Sequence, residues 1–539
     1  MNALQAICHS IVLLSGWRVL ALCFVLGAIT AAGLAPLHLT PVLWVIFPLF
    51  VFTLDGAVPN AEKRGLSKFM PAFWRGCWFG FGYFIAGLWW LGSAFLVDAD
   101  MFAWLLPLAV IGLPLCLAIF FGLAALVARM FWTGGARRIF ALAASFAAFE
   151  WLRGTILSGF PWNTLGVLLA PNDVMMQGVA IFGLYTYGFF AVLIFSSPAL
   201  LLGDASVNKS KGRIFLLVIC LAIGLGAYGL LRLSAADEAH VAGVQLRIIQ
   251  PNISQKDKFK PEKSGEILER YISMSTRSTK PDDLGLLSTT HLIWPESAFP
   301  FLLTEQPDAI SQIANMLPVG TTLLTGAARA TPRTAGNQRR AFYNSLYVIN
   351  HDGEIRDAYD KMHLVPFGEY LPFEEHLKNF GLSSLVQVPG GFSPGAHRRI
   401  LETGNAPPFI PLICYEVLFP GQVSAKHNTQ SAEWILNVTN DAWFGITSGP
   451  YQHFHQTRLR AVEEGLPVIR AANNGISAVI DGYGRVEQSL KLGQSGIINS
   501  KIPVKVVLPV EYDIKKFIFW ALIIFSIFAA ARGILAKHS

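Results

Sequence analysis

The sequence predicts a multi-pass α-helical membrane domain joined to an α/β domain, on two observations. Hydrophobic residues make up 53% of the 539 residues and charged residues only 14%, whereas soluble domains contain about one quarter charged residues. Apolar runs lie almost entirely before residue 235, with one more at the end, while residues 235–510 have the composition of a soluble domain. We therefore predict membrane helices in residues 1–234, one exported domain in residues 235–510 and a last membrane helix in residues 511–539.

The apolar runs predict about eight membrane spans. A helix needs about 20 apolar residues to cross the hydrocarbon core of a bilayer. Seven N-terminal runs lie near 11–31, 40–54, 70–96, 102–130, 138–152, 176–203 and 213–232, and the eighth lies near 516–536. The second and fifth runs are short, so the sequence defines the boundaries of these two spans least sharply.

The positions of Lys and Arg predict on which side of the membrane the exported domain lies, because cytoplasmic loops carry the excess of positive charge. If the N-terminus is cytoplasmic, three basic clusters all fall on the cytoplasmic side. They are Lys63, Arg64 and Lys68, then Arg129, Arg137 and Arg138, then Lys209, Lys211 and Arg213. The same alternation puts residues 235–510 outside the cytoplasm. The net charge of +7 therefore reflects topology, and no nucleic-acid partner is expected.

Short β-branched runs separated by turns and helical segments predict the α/β architecture of the exported domain. Continuous apolar runs such as FIPLIC indicate strands buried on both faces, hence a sheet covered by helices. The predicted strands are VAGVQLRII, HLIWPE, TTLLTG, NSLYVIN, FIPLICYE, WILNVTN and PVIRAANNG.

Cys414 is the only cysteine of the predicted exported domain, since the other five lie in or beside predicted spans. A disulfide within this domain is therefore excluded. The thiol follows the run FIPLI, at a strand end of the kind where nucleophiles often lie. A free thiol has a pKa of about 8.5, so catalysis at neutral pH needs a nearby cation or base. Lys361 in YDKMHLVPFGEY can supply that charge, although a buried inert cysteine is the alternative interpretation.

Glu296 ends the run HLIWPE, where a carboxylate can relay protons. An isolated glutamate in a loop is more often simply solvated. A functional interpretation of Glu296 therefore depends on Cys414 and Lys361 being considered together with it.

The motifs IWPES, YDKMHLVPFGEY and PLICYE, in this order, resemble the Glu-Lys-Cys triad of the nitrilase, or carbon-nitrogen hydrolase, superfamily. The resemblance covers roughly residues 241–504 and implies an α-β-β-α sandwich. It implies that Cys414 is the nucleophile, Glu296 the proton acceptor and Lys361 the group that stabilises the oxyanion. Glu369 resembles a second carboxylate of nitrilase sites, where it orients the lysine or the attacking group. Glu416 is expected either to act as a supporting carboxylate of this kind or to hydrogen-bond locally beside the elbow and hold Cys414 in position.

A nitrilase-like domain held between N-terminal spans and one C-terminal span resembles the apolipoprotein N-acyltransferase family over nearly the whole chain. The motifs FEWLRG, GFPWN and NDAWFG extend this resemblance, as does QPNISQKDKF, in which Phe259 stands where Trp is common. The resemblance implies a phospholipid donor, typically phosphatidylethanolamine, and an acceptor that is the α-amino group of a diacylglyceryl apolipoprotein. It also implies a thioester intermediate, ping-pong kinetics and a place in the bacterial inner membrane with the catalytic domain on the periplasmic side.

Three further expectations concern ligands. Tyr415 and Trp443 are candidate substrate-binding residues. The Trp443 indole suits an acyl-chain entrance with one wet and one apolar side, and ordinary core packing of this ring is the alternative. His453 and His455 point to different faces of a helix and no Cys or carboxylate cluster is expected beside them, so we predict no metal. No cofactor is expected.

Two other classes of function stay open. A membrane-tethered amidase or nitrilase would hydrolyse a C–N bond with the same triad and needs no amine acceptor. A transporter or receptor should show paired charges around a midplane site. Glu150 is the only obvious candidate for such a charge, and it is expected to pair with Arg153 or with the exported domain.

Overall fold

The computed structural model describes residues 3–202, 209–332, 340–371, 391–423 and 432–538. The chain divides into two compact units. The helical unit comprises Met1–Gly92, Trp104–Ala236 and Leu508–Ser539, and the sheet unit comprises Ser93–Ala103 and Asp237–Val507. Composition does not predict that Ser93–Ala103 belongs with the sheet unit. The division of the chain at residues 234 and 510 stays a prediction.

The helical unit consists of long apolar helices. They span Ala3–Leu13, Gly16–Thr30, Leu43–Asp55, Met70–Leu88, Leu113–Met130, Arg137–Thr155, Val179–Ser196, Lys209–Ser234 and Tyr512–His538. Single-turn helices in the described part of the chain lie at Gly92–Phe95, Ala99–Phe102, Asp173–Met176, Ala199–Leu202 and Gln255–Lys258.

Five helical segments of the described residues are long and apolar enough to cross a membrane, which makes this unit a multi-pass membrane domain. They are Gly16–Gly33, Ala103–Met130, Val179–Leu202, Ser210–Ser234 and Tyr512–Arg532, and Thr40–Asp55 is a shorter apolar helix. Met70–Leu88 and Arg137–Thr155 form helices where spans were predicted but are not among the five. Charged residues and tryptophans make both segments less apolar, so the count of eight spans stays a prediction.

Glu150 and Arg153 pair with each other, as one of the two sequence-based alternatives predicted. Arg153 Nη2 lies 3.5 Å from Glu150 Oε1, and both side chains are almost fully buried. The Glu150 carboxylate also accepts a hydrogen bond from the Leu165 backbone N–H. Each charge therefore has a partner within one unit, as buried charges require.

The sheet unit contains eleven strands in two sheets. They are β1 (Leu246–Gln250), β2 (His291–Trp294), β3 (Thr322–Ala330), β4 (Phe342–Ile349), β5 (Ile355–Asp360), β6 (Phe409–Ile413), β7 (Trp434–Thr439), β8 (Val468–Ala472), β9 (Ser477–Ile480), β10 (Val486–Leu490) and β11 (Gly496–Ser500). The six-stranded sheet has the order β11-β1-β2-β3-β4-β5, and the five-stranded sheet has the order β10-β9-β8-β7-β6. Strands β1 to β3 are parallel, as are β6 to β8, and the outer pairs are antiparallel.

The two sheets pack face to face over one apolar core, to which Ile248 and Leu324 contribute from one sheet and Leu436 and Val479 from the other. This arrangement buries alternate side chains of each strand between the sheets, as in other sandwiches.

Helices cover the outer faces of the sandwich. Trp294 and Tyr347 of the six-stranded sheet pack with Tyr271 of helix Ser264–Thr276 and Ile313 of helix Pro307–Met316. Helix Ser448–Glu464 lies against β8, where Arg470 donates a hydrogen bond to the Thr457 hydroxyl. The α-β-β-α sandwich is thereby confirmed.

All seven predicted runs contain a strand, and four strands were missed. The missed strands are β5, β9, β10 and β11. Strand β10 is mostly exposed and β5 is only partly buried, with the polar sequences VEQSL and IRDAYD. Strand β10 pairs antiparallel with β9, and β5 pairs antiparallel with β4. This backbone pairing, rather than an apolar sequence pattern, holds β10 and β5 in place.

Polar residues of the predicted site lie just beyond strand ends. Cys414 directly follows β6, Lys361 directly follows β5, and Glu296 lies two residues beyond β2. In sheets with parallel strands, ligands bind beyond the carboxyl ends of those strands. The sandwich therefore positions the three predicted site residues just beyond the ends of its strands.

We expect Leu436→Ala to lower the free energy of unfolding of the sheet unit by about 2–5 kcal/mol, because it opens a cavity between two packed sheets. Leu436 is fully buried in that core. Denaturant unfolding of the purified protein measures the change. Leu287→Ala is the matched control, since Leu287 is 79% exposed and such changes stay within about 0.5 kcal/mol. Equal effects of the two substitutions would contradict the described core.

Candidate active site

Cys414 lies at a sharp elbow between β6 and a 3₁₀ turn that spans Cys414–Leu418. Its backbone φ is +50°, in the left-handed region that non-glycine residues rarely adopt. Two contacts hold this conformation: the Ile413 N–H donates to Glu416 Oε2 at 2.8 Å, and His453 Nε2 lies 3.2 Å from the Cys414 carbonyl oxygen. Strain of this kind persists only where the surroundings fix it.

Glu296 is buried beside the elbow, with both carboxylate oxygens hydrogen-bonded. Oε1 accepts from Asn344 Nδ2 at 2.7 Å, and Oε2 accepts from the Asn440 backbone N–H at 2.8 Å. A Cβ on Gly326 would lie 2.5 Å from the Glu296 Cα, so only glycine lets β3 pass this close. The Glu296 carbonyl oxygen in turn accepts a hydrogen bond from Lys258.

Lys361 supplies one ammonium to two carboxylates. Its Nζ lies 3.0 Å from Glu369 Oε1 and 2.9 Å from Glu369 Oε2, and 3.6 Å from Glu296 Oε1. Asn344 Nδ2 donates to both Glu296 and Glu369, each at 2.7 Å. The second Glu369 oxygen also accepts from the Val365 N–H. Glu369 therefore binds the Lys361 ammonium through both carboxylate oxygens, and its role in orienting the lysine for catalysis stays a prediction.

The charge states of the three groups follow from burial and from their mutual contacts. Burial raises the pKa of the Cys414 thiol, the Glu296 carboxylate raises it further, and Lys361 opposes both. Burial also raises the pKa of Glu296, against the opposing effect of Lys361. Burial favours a lower pKa for Lys361, but Glu369 and Glu296 outweigh it and raise that pKa. At neutral pH the site holds a protonated thiol, a permanent ammonium and a carboxylate with enhanced proton affinity.

Glu416 ties the Cys414 elbow to the segment that carries Lys361. Its Oε1 accepts from the Tyr359 hydroxyl at 2.7 Å and from the backbone N–H of Met362 at 2.9 Å, while Oε2 accepts from Ile413. The side chain is fully buried. The structure therefore shows that Glu416 hydrogen-bonds locally beside the elbow, which was one of its two predicted roles. Its bond to the Ile413 N–H holds the residue that precedes Cys414.

A buried network of charged side chains lies behind Cys414. Asp441 accepts from Arg470 at 2.8 Å and contacts His453 Nδ1 at 2.9 Å. Arg470 and His453 lower the pKa of Asp441 although burial acts to raise it. Burial and Arg470 lower the pKa of His453. The Thr439 hydroxyl hydrogen-bonds to Asp441 and to the Cys414 side chain.

The expectation that no cysteine or carboxylate lies near His453 is wrong. Cys414 Sγ, an Asp441 oxygen and a His453 nitrogen all lie within 4.8 Å of one another, because helix Ser448–Glu464 brings the imidazole beneath the elbow. Both His453 nitrogens and both Asp441 oxygens already take part in hydrogen bonds with protein groups. The prediction that the site binds no metal stays a prediction.

The two aromatic candidates differ in their surroundings. Tyr415 is 4% exposed and packs edge-on against Phe419. Trp443 is half-buried and lines an open cleft of about 500 Å³ in the sheet unit, together with Gln255 and Ile446. Gln255 accepts a hydrogen bond from Asn440, whose backbone binds Glu296, so this cleft adjoins the charged cluster. Substrate binding by Tyr415 and Trp443 stays a prediction.

The structure thus brings Glu296, Lys361, Cys414, Glu369 and Glu416 into one buried cluster. Sequence reasoning missed several partners of this cluster: Asn344, Lys258, Asp441, His453 and Arg470. Asn440 and Asp441 open the motif NDAWFG, so attention to the polar start of that motif, rather than to its tryptophan, would have found them. Asn344 and Arg470 carry no signal, since polar residues in strands are usually exposed. Lys258 lies in the motif QPNISQKDKF and His453 was considered only as a metal ligand, so the sequence linked neither to Cys414 or Glu296.

Comparison with known proteins adds two family matches. Residues 26–197 match the family described as the apolipoprotein N-acyltransferase N-terminal domain. Residues 303–512 match the carbon-nitrogen hydrolase family. The second match includes Lys361 and Cys414, and Glu296 lies just before it.

Several relatives are similar along most of their length. Proteins named apolipoprotein N-acyltransferase from Rhodopseudomonas palustris and Allorhizobium ampelinum are each 44% identical to this chain, over 94% and 96% of it and 93% and 96% of their own lengths. Among solved structures, a nitrilase-superfamily amidase from Nesterenkonia is 17% identical, with a TM-score of 0.34 over 50% of this chain and 94% of its own. That structural similarity is too low to inform function.

We expect Glu416→Gln to destabilise the sheet unit by about 1–3 kcal/mol, because an amide NH₂ would face a buried donor that now has an acceptor. The same change should slow alkylation of Cys414 by iodoacetamide, since the elbow loses a contact. Denaturant unfolding and mass spectrometry of the Cys414 peptide measure the two effects. Glu433→Gln is the control, because the Glu433 side chain is 39% exposed, forms an ion pair with Lys505 at 3.3 Å and takes part in none of the hydrogen bonds described for the elbow. Unchanged alkylation in Glu416→Gln would refute the proposed support.

Proposed function

This chain belongs to the apolipoprotein N-acyltransferase family, and from that premise we propose that it transfers an acyl chain from a phospholipid to apolipoproteins. The acceptor is the α-amino group of the N-terminal S-diacylglyceryl cysteine. The observation that carries this proposal is the buried cluster in which Lys361 contacts Glu296 and interacts electrostatically with the Cys414 thiol. The proposed enzyme works by a ping-pong mechanism through a Cys414 thioester.

We further propose phosphatidylethanolamine as the typical donor and the bacterial inner membrane as the location. The distribution of Lys and Arg supports a periplasmic position for the sheet unit. Both proposed substrates are anchored in a membrane, so an enzyme with its own membrane domain meets them at high effective concentration.

In the first half-reaction, Glu296 accepts the Cys414 proton and the thiolate attacks the ester carbonyl of the phospholipid. The raised pKa of Glu296 suits it to this role, because a carboxylate with higher proton affinity accepts the thiol proton more readily. Lys361, which stays charged, stabilises the oxyanion of the tetrahedral intermediate. Collapse breaks the ester bond, and the proton on Glu296 passes to the departing lysophospholipid oxygen.

In the second half-reaction, the α-amino group attacks the thioester carbonyl and Glu296 accepts a proton from the nitrogen. Lys361 again stabilises the oxyanion. Collapse forms the amide and releases the Cys414 thiolate, which regains the proton from Glu296. Glu369 and Glu416 take no proton in either step, because they serve to hold Lys361 and the elbow in place.

Intact-protein mass spectrometry tests this mechanism. After incubation with phosphatidylethanolamine alone, we expect an acyl-sized mass gain, because the thioester has no amine to attack it. A diacylglyceryl-cysteine peptide should remove the added mass. Cys414→Ala should gain no mass, and Cys116→Ala is the matched control that should, since Cys116 lies in the helical unit.

Two outcomes would contradict the proposal. If neither adduct nor lysophospholipid forms, the phospholipid-donor assignment fails and a membrane-tethered amidase becomes the better assignment. If the adduct forms but disappears at the same rate with and without the peptide, water is the acceptor and the enzyme is a hydrolase.

The acid side of the pH profile should report Glu296. Because burial raises the pKa of Glu296, its basic form is lost as pH falls through that raised value. We expect the single-turnover rate of acyl-enzyme formation to fall there, and Glu296→Gln to lower the rate by about 10²–10⁴-fold. Glu266→Gln is the control, since Glu266 is 71% exposed. A profile of Glu296→Gln that keeps the wild-type rate and acid limb would rule out this role.

A further inference from the structure

Three lysines alternate in the segment QKDKFK, and only the middle one is buried. Lys258 is 1% exposed, whereas Lys256 and Lys260 are exposed. The single-turn helix Gln255–Lys258 turns the middle side chain inward. The three side chains are chemically identical, so the fold alone distinguishes Lys258.

The buried Lys258 ammonium contacts the main chain of the proposed base. Its Nζ donates a hydrogen bond to the Glu296 carbonyl oxygen at 2.9 Å. Among the residues that the structure describes, no carboxylate lies within ion-pair distance of this nitrogen. Burial of an ammonium without a direct counter-ion is unfavourable and is typical of functional sites.

The charge balance of the cluster explains why a second ammonium is present. Lys361 serves both Glu369 and Glu296, at 2.9 Å and 3.6 Å. With Lys361 alone, two carboxylates would share one positive charge. Lys258, which interacts electrostatically with Glu296 and Cys414, supplies the second.

We propose that Lys258 is a positioning residue of this site, which holds the Glu296 main chain and supplies the positive charge against which Cys414 loses its proton. The inference rests on the proposed role of Cys414 as nucleophile. Without Lys258, the two carboxylates outweigh Lys361 by one negative charge while the thiol is protonated, and by two once its proton has left for solvent. A charged Lys258 makes this excess one charge smaller in each state. Formation of the thiolate is then less favourable.

This role depends on pH in a defined direction. Burial lowers the pKa of Lys258 to about 7, against the opposing effects of Glu296 and Cys414. The group is therefore charged below that pH and neutral well above it. The titratable groups that interact with it are Glu296, beyond β2, and Cys414, beyond β6, and these in turn interact with Lys361 and Glu369.

The experiment compares Lys258→Met, Lys258→Arg and the control Lys260→Met in the full-length protein. Lys260 is 49% exposed and makes only a surface ion pair with Asp257. Alkylation of Cys414 by iodoacetamide is followed on the Cys414 peptide by mass spectrometry at about pH 6 and about pH 9, on either side of the Lys258 pKa.

At about pH 6 we expect Lys258→Met to react about tenfold or more slowly than the wild type, because an opposite charge within about 4–6 Å shifts a pKa by about one unit or more. At about pH 9 the difference should disappear, since the wild-type lysine is neutral there. Lys258→Arg keeps its charge at every pH, so it should match the wild type at the lower pH and react faster at the higher pH. Lys260→Met should match the wild type throughout.

A rate ratio between Lys258→Met and the wild type that is the same at both pH values would overturn the proposal, since a purely structural defect has no reason to follow the Lys258 charge. Lys258→Met with wild-type rates would overturn it as well. Alkylation needs no acyl donor, so this result is independent of the acyl transfer. Failure of the wild type to form an acyl-enzyme would refute the proposed function. The role of Lys258 would still be tested by the ratio of the alkylation rates of Lys258→Met and the wild type at the two pH values.

Discussion

The contact of one ammonium with two carboxylates is the interaction on which the site depends. Lys361 lies 3.6 Å from Glu296 and 2.9 Å from Glu369, and its positive charge opposes the rise in the pKa of Glu296 that burial and the Glu369 carboxylate cause. Asn344 donates to both and fixes their separation. The same three charges keep Lys361 protonated and leave Glu296 with a high proton affinity. The contacts of Lys361 and Asn344 with the two carboxylates therefore determine both the charges and the positions of these groups.

Glu296, Lys361 and Cys414 of this cluster lie just beyond the ends of β2, β5 and β6. Packing between the sheets fixes β2, β5 and β6, and Glu416 connects the last two by accepting from residues beside Lys361 and before Cys414. Behind the elbow, His453 holds the Cys414 carbonyl while Asp441 and Arg470 hold His453. Cys414 is therefore supported from two directions by side chains that are themselves buried.

Much of the fold followed from the sequence, because apolar runs mark both membrane helices and buried strands. Glu296, Lys361 and Cys414, which the structure brings together, could be picked out from the sequence because each lies in a recognisable motif, and their reactivity stays a proposal. How the strands divide between two sheets did not follow from periodicity, because pairing partners lie far apart in the chain, and polar strands such as β10 have no apolar pattern. Lys258 illustrates the limit at the site. Alternating lysines look alike in a sequence, and only tertiary packing decides which of them is desolvated.

The chain enters and leaves the sheet unit side by side. Strand β1 pairs with β11, and the backbone bonds of Val241 to Ile502 and of Val504 to Ala239 extend this contact almost to both ends of Asp237–Val507. Closely spaced ends are what allow a domain to be inserted into another chain. One recombination event was therefore enough, in principle, to place an ancestral soluble enzyme between two helices of a membrane protein. Reversal is less simple, because Asp237–Val507 expressed alone would lack Ser93–Ala103, the separate segment that completes the unit.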